Sequence, residues 1–113
     1  MIDYKIKSRI WIEVGDNVLL GEGRVRLLKE IDATGSLSKA AKSIGMSYKK
    51  AWTLIDAVNK SAKEAVVVTS VGGQNGGGTI ITPYGKNLIR AFDRINTKCW
   101  SFLDQELQTL EGI

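Results

Sequence analysis

Histidine does not occur in this sequence, and cysteine occurs once, at Cys99. Without histidine a single chain offers no His-built zinc site, no His general acid–base catalysis and no Ser-His-Asp triad. With one cysteine no disulfide can close within the chain, which fits a reducing cytoplasm. No apolar run reaches the length that spans a bilayer, and the N-terminus lacks the long apolar core of a signal peptide. No nucleophile–base pair or metal cluster can be assembled from the residues present. The expectation is a cytoplasmic protein, off the membrane, that is not an enzyme and uses no metal or cofactor.

What is present is ordinary in amount and uneven in placement. The 113 residues are 43% hydrophobic and 25% charged, which suits one soluble domain with a protruding element. The margin for burying a core is thin at this size, so an oligomer interface would help. The net charge of +4 is modest. From Ser36 to Lys63, however, the charges are Lys39, Lys42, Lys49, Lys50, Lys60 and Lys63 against Asp56 alone. From Cys99 to Ile113 they are Asp104, Glu106 and Glu111. A basic middle and an acidic tail suit a polyanion partner for the middle, or simply a solvated lysine-rich face.

Periodicity organises the chain. Tyr4 to Val14 alternates: Tyr4, Ile6, Ile10, Ile12 and Val14 share one face, and Lys5, Lys7, Arg9, Trp11 and Glu13 share the other. That predicts a half-buried strand, which Gly15-Asp16-Asn17 turns back into a short second strand at Val18–Leu20. Arg24 to Thr34 is helical in spacing, with Val25, Leu27, Leu28 and Ile31 on one face and Gly35 placed to end it left-handed. Ser36 caps a short helix carrying Leu37, Ala40, Ala41 and Ile44 and ending at Gly45. Ser47 caps a longer helix, whose inner face is Ala51, Leu54, Ile55 and Val58, running to about Ala62. Ala65–Ser70 and Thr79–Thr82 are β-branched runs around a glycine-rich tip. The single proline, Pro83, permits a helix start, and the pattern is helical from Tyr84 to about Leu110.

The order is hairpin, helix, short helix, tight turn, helix, strand, glycine loop, strand, long helix. These are the parts of a winged helix-turn-helix: an α+β domain, mainly α, with an N-terminal β-hairpin, a two-stranded wing and a long C-terminal helix. Two helices joined by a turn of about three to four residues must approach closely. Small Ala40 and Ala41 permit that approach, and Gly45 supplies the backbone that other residues resist. We divide the chain into a DNA-binding unit, residues 1–83, and a dimerisation helix, residues 84–113.

In such a motif the second helix enters the major groove of duplex DNA by its N-terminal turn. Its outward residues are Ser47, Tyr48, Lys49, Lys50, Thr53 and, farther along, Lys60. Lysines donate to guanine or phosphate, and threonine reaches a base edge or a thymine methyl. Ser36 and Ser38 open the preceding helix, where free N–H groups favour a phosphate. Trp52 lies beside the inward positions and is expected to pack rather than to touch DNA. The glycine segment resembles a phosphate-cradling loop only loosely. Gly78 stands where that loop needs lysine, and no helix follows directly. It fits better as a wing tip, donating to DNA through Gln74 and Asn75. On the last helix Ile89, Phe92, Trp100, Leu103, Leu107 and Leu110 recur at spacings near three and four, interrupted by Asn96 and Cys99. This pattern predicts a homodimer seam.

A family resemblance rests on these same residues. Gly35-Ser36-Leu37-Ser38-Lys39-Ala40-Ala41, Gly45-Met46-Ser47-Tyr48-Lys49-Lys50-Ala51-Trp52, the glycine wing and Thr82-Pro83-Tyr84-Gly85 resemble the N-terminal DNA-binding domain of ModE-type molybdate-responsive regulators. More distantly they resemble LysR-type winged helix domains. The match runs from about Gly23 to Leu88. It implies a dimeric winged helix whose long helices pair, with Ser47 to Thr53 facing the major groove and the chain acting in transcription regulation. The chain reaches only Ile113, so the resemblance implies neither the molybdate-sensing domains nor tight molybdate binding. Arg9-Ile10-Trp11-Ile12-Glu13 and Leu20-Gly21-Glu22-Gly23-Arg24 look like the shorter single-domain relatives. The competing reading is a winged helix used for protein–protein assembly without nucleic acid.

Overall fold

The computed structural model describes residues 2–70 and 78–113. The elements in chain order are β1 (Trp11–Val14), β2 (Asn17–Gly21), α1 (Glu22–Thr34), α2 (Leu37–Ser43), α3 (Tyr48–Ser61), β3 (Val67–Thr69), β4 (Thr79–Ile81) and α4 (Pro83–Glu111). The architecture is α+β and mainly helical, with two antiparallel two-stranded sheets, β1–β2 and β3–β4.

The first strand is shorter than its alternation predicts. Only Trp11–Val14 finds a partner, because β2 spans five residues and the chain turns at once into α1. Burial nevertheless alternates from Lys5 to Ile12: Ile6, Ser8, Ile10 and Ile12 are half-buried while Lys5, Lys7, Arg9 and Trp11 are exposed, but Tyr4 and Val14, expected on the buried face, are exposed at the two ends. The helix after the hairpin begins at Glu22, two residues earlier than expected, and an acid there suits the positive end of the helix dipole.

Both predicted serine caps form. Ser36 Oγ accepts from Lys39 N at 3.1 Å, and Ser47 Oγ accepts from Lys50 N at 3.1 Å. Gly35 and Gly45 both stand at φ 68°, where a side chain would strain the backbone. Ala40, Ala41 and Ala51 are buried to 1% exposure or less where α2 meets α3. The core gathers Leu20 from the hairpin, Leu27, Leu28 and Ile31 from α1, Leu37 from α2, Ile55 and Val58 from α3, and Val66, Val67 and Ile81 from the β3–β4 pair.

Helix α4 corrects the expected division at residue 83. Its first three turns belong to the body: Gly85 is buried, and Ile89 and Phe92 are 8% and 2% exposed within the core. These two side chains were expected on a dimer seam. They are spent on the chain's own α1 and strands, because the helix must cover the open side of that core before it can leave it. Lys29–Asp93 at 2.9 Å and Lys86–Asp32 at 3.8 Å link α1 to α4 at the surface, where such pairs add little stability. Beyond Phe92 the helix runs on for several turns and draws the molecule out to 64 Å.

Candidate nucleic-acid interface

Helix α3 buries one face and presents the other. Ala51, Ile55 and Val58 point inward. At about 100° per residue, Lys49, Thr53 and Lys60 fall on the opposite stripe, and all three are exposed. Tyr48 is 57% exposed at the start of the same helix. Among the described residues no carboxylate lies within salt-bridge distance of Lys49 or Lys50. Lys60 differs: its ammonium sits 2.8 Å from Asp56, four residues back, so its charge is partly offset. Thr53 Oγ1 donates to Lys49 O at 2.9 Å, which leaves its lone pairs outward. The serine cap turns the first α3 turn toward solvent with two unpaired ammonium groups on it. That arrangement suits an extended polyanion.

Ser38 is exposed, and Ser36 is half-buried with its hydroxyl engaged as the α2 cap. These two therefore sit near the α3 turn in sequence but outside its stripe. Gln74 and Asn75 lie outside the described residues.

Two elements flank the exposed face. On one side Trp52, Ile55, Asp56 and Asn59 of α3 line a crevice with Val67 and Thr69 of β3. Trp52 was expected to pack, yet it is 51% exposed, because its position falls between the buried stripe and the solvent stripe. Asn59 ties the flank together. Its amide donates to Val67 O at 2.8 Å, and its oxygen accepts from Val66 N at 2.8 Å and Val67 N at 3.1 Å. The sequence reading missed this residue. Its signal was an amide on the inner edge of a helix just before a β-branched run whose leading N–H groups need acceptors. On the other side Lys50 and Leu54 of α3 face Arg9, Ile10, Trp11, Val18 and Arg24 across a groove of about 430 Å³.

The far half of α4 carries a second surface. Trp100, Leu103 and Leu107 are half-buried, and Leu110 is 36% exposed. Two large side chains absent from the expected seam are more open: Ile95 at 47% and Phe102 at 59%. Their signal was the run Leu88, Phe92, Ile95, Cys99, Phe102, which alternates steps of four and three.

No family model matches this chain. Similar proteins do exist. "Molybdenum transport protein ModE" of Azotobacter vinelandii is 35% identical over 106 residues, covering 94% of this chain and 39% of its own length. "Transcriptional regulator ModE" of Haemophilus influenzae is 40% identical over 105 residues, 90% of this chain and 41% of its own. The chain is a ModE-like domain. A third relative, 38% identical over 86 residues, is named "DNA-binding transcriptional dual regulator ModE" of Escherichia coli. The ModE-like chain spans about two fifths of the first two relatives' length. The Haemophilus and Escherichia relatives are named as transcriptional regulators. No helix among the described residues is long and apolar enough to cross a membrane.

Proposed function

We propose that this ModE-like domain is a winged helix-turn-helix that binds duplex DNA as a homodimer and regulates transcription. The observation that carries the reading is the first turn of α3. A serine cap holds it in place, Lys49 and Lys50 stand on it without acidic partners among the described residues, and Thr53 continues its outer stripe. In this reading α3 enters the major groove with Ser47, Tyr48, Lys49, Lys50 and Thr53 toward the bases and phosphates. Ser36 and Ser38 lie toward the backbone, Lys60 contributes less because Asp56 holds it, and the β3–β4 pair is the wing. The free half of α4 pairs with a second copy through Trp100, Leu103, Leu107 and Leu110, joined by Ile95 and Phe102. Pairing brings two α3 helices to a twofold-related site.

Titration of the protein against genomic fragments at several salt concentrations tests this. Lys49→Ala and Lys50→Ala are expected to weaken binding with unchanged melting, since both side chains are exposed. Loss of a phosphate contact lowers the salt slope by about 1 and weakens all sequences alike, whereas loss of a base contact costs roughly 1–3 kcal/mol at one position. Unaltered affinity in both variants removes α3 from the interface. Flat, salt-independent association would favour protein–protein assembly instead.

The same reading gives this chain no tight hold on molybdate. The anion donors it offers are the N-termini of α2 and α3, where Ser36 and Ser47 each satisfy one N–H and the rest are expected to face DNA phosphates. Calorimetry with sodium molybdate is expected to show no saturable heat. Stoichiometric binding at micromolar concentration would overturn the expectation.

A further inference from the structure

The segment before β1, residues 2–10, belongs to no helix or strand among the described residues, yet its burial alternates residue by residue from Lys5, as an extended arm with two unlike faces would show. Ile10 and Ile12 pack against the core and fix the end of the arm. Ile6 and Ser8 continue the half-buried face. The opposite face is a row of cations, Lys5, Lys7 and Arg9, all exposed. Same-face side chains in an extended chain stand about 6.7 Å apart. The nearest carboxylate in the row's surroundings is Glu22, 3.9 Å from Arg9 Nε, a loose pair in solvent. Lys5 and Lys7 make no ion pair among the described residues.

The position of this row matters more than its charge. Arg9 and Ile10 line the groove that Lys50 and Leu54 of α3 line from the other side. The arm thus leaves the body beside the first turn of α3, on the flank opposite to the one that β3 occupies. The exposed face of α3 is bracketed by β3 on one side and by a basic extended arm on the other.

We propose that Lys5, Lys7 and Arg9 form a second DNA contact, laid along the phosphate backbone next to the groove that α3 enters. The inference rests on α3 being the DNA-reading helix, and it adds a sequence-independent clamp to that helix. Cations that are fully hydrated in the free protein lose little on approaching phosphates, and they release condensed counterions when they do. The arm contributes affinity and salt dependence, while α3 retains the choice of sequence.

The test is a triple variant, Lys5→Ala/Lys7→Ala/Arg9→Ala, titrated against two fluorescein-labelled duplexes. One has arbitrary sequence, and the other is a genomic fragment selected by the wild-type protein. The slope of log affinity against log salt is expected to fall by about 2 to 3 units per protomer bound. Affinity at 0.1 M salt is expected to fall roughly a hundredfold for both duplexes, with the gap nearly closed at about 0.5 M. A charge-matched control, Arg90→Ala/Arg94→Ala/Lys98→Ala on the polar side of α4, is expected to stay within about half a unit of wild type. A triple variant with the wild-type slope overturns the proposal, as does a control that lowers the slope equally. If the arm variant keeps its slope but associates with itself, the lysines guard an unpaired strand edge instead. Failure of the wild-type protein to bind either duplex overturns both the arm and the α3 reading. Binding with an unchanged slope in the arm variant overturns the arm alone.

Discussion

Gly85→Val is expected to abolish folding, and Gly85→Ala to destabilise the domain by about 1–3 kcal/mol. Helix propensity by itself points the other way, since alanine in place of a helical glycine gains about 0.5–1 kcal/mol. Packing reverses the sign. A Cβ at this position would lie 2.6 Å from Val66 O, 2.9 Å from Val66 Cγ1 and 2.9 Å from Ile81 Cγ2. The closest of these is a backbone atom with no rotamer to retreat into, and it already accepts from Thr82 N at 2.9 Å. Thr82 Oγ1 in turn accepts from Gly85 N at 2.9 Å and donates to Ala65 O at 2.7 Å, so the whole corner is held together. Relief requires α4 to lift away from the β3–β4 pair and uncover Ile89 and Phe92. Thermal melting checks this, with each kcal/mol lowering Tm by about 4–8 °C in a domain of this size. An alanine variant that melts like wild type would show that α4 does not press against Val66.

Leu103→Asp is expected to convert a dimer into a monomer and to lower affinity for a twofold-related DNA site by about a hundredfold or more, although Ser47 to Thr53 are untouched. Leu103 lies midway along the free half of α4, with Trp100 and Leu107 beside it on the same side and Ile95 and Phe102 next to them. In the proposed dimer an aspartate there would be desolvated against the second copy. Trp100→Ala is expected to act in the same direction through loss of an aromatic anchor, whereas Asp104→Ala, on the exposed side, changes little. Sedimentation measures the first effect and titration with a two-half-site duplex the second. A wild-type protein that sediments as a monomer at micromolar concentration, with site binding intact, would refute the pairing of α4.

The exposed turn of α3 was legible in the residues themselves. Ser47 announces a cap, Ala51, Leu54, Ile55 and Val58 name the buried stripe, and subtraction leaves Lys49 and Thr53 outside. The ion pair that quiets Lys60 was also within reach, since Asp56 stands four residues before it. Trp52 was not legible. A position at the boundary between stripes is buried or open according to what lies beside it, and only the placement of β3 decides that. Ile89 and Phe92 were misread for a related reason. Heptad-like spacing records that a helix has an apolar side, but it does not record whether that side meets its own domain or another copy.

Local chemistry therefore determined the elements of this protein. Alternation, serine caps, left-handed glycines and the 3.6-residue stripe act over a few neighbours, and a single chain carries them openly. The tertiary structure decided which apolar faces are satisfied within the chain and which are left over. It placed Gly85 against Val66, drew Phe92 into the core, left Phe102 outside and set Arg9 across a groove from Lys50. Those outcomes depend on contacts between residues far apart in sequence, where excluded volume and the order of packing choose among partners that look equally apolar in the chain.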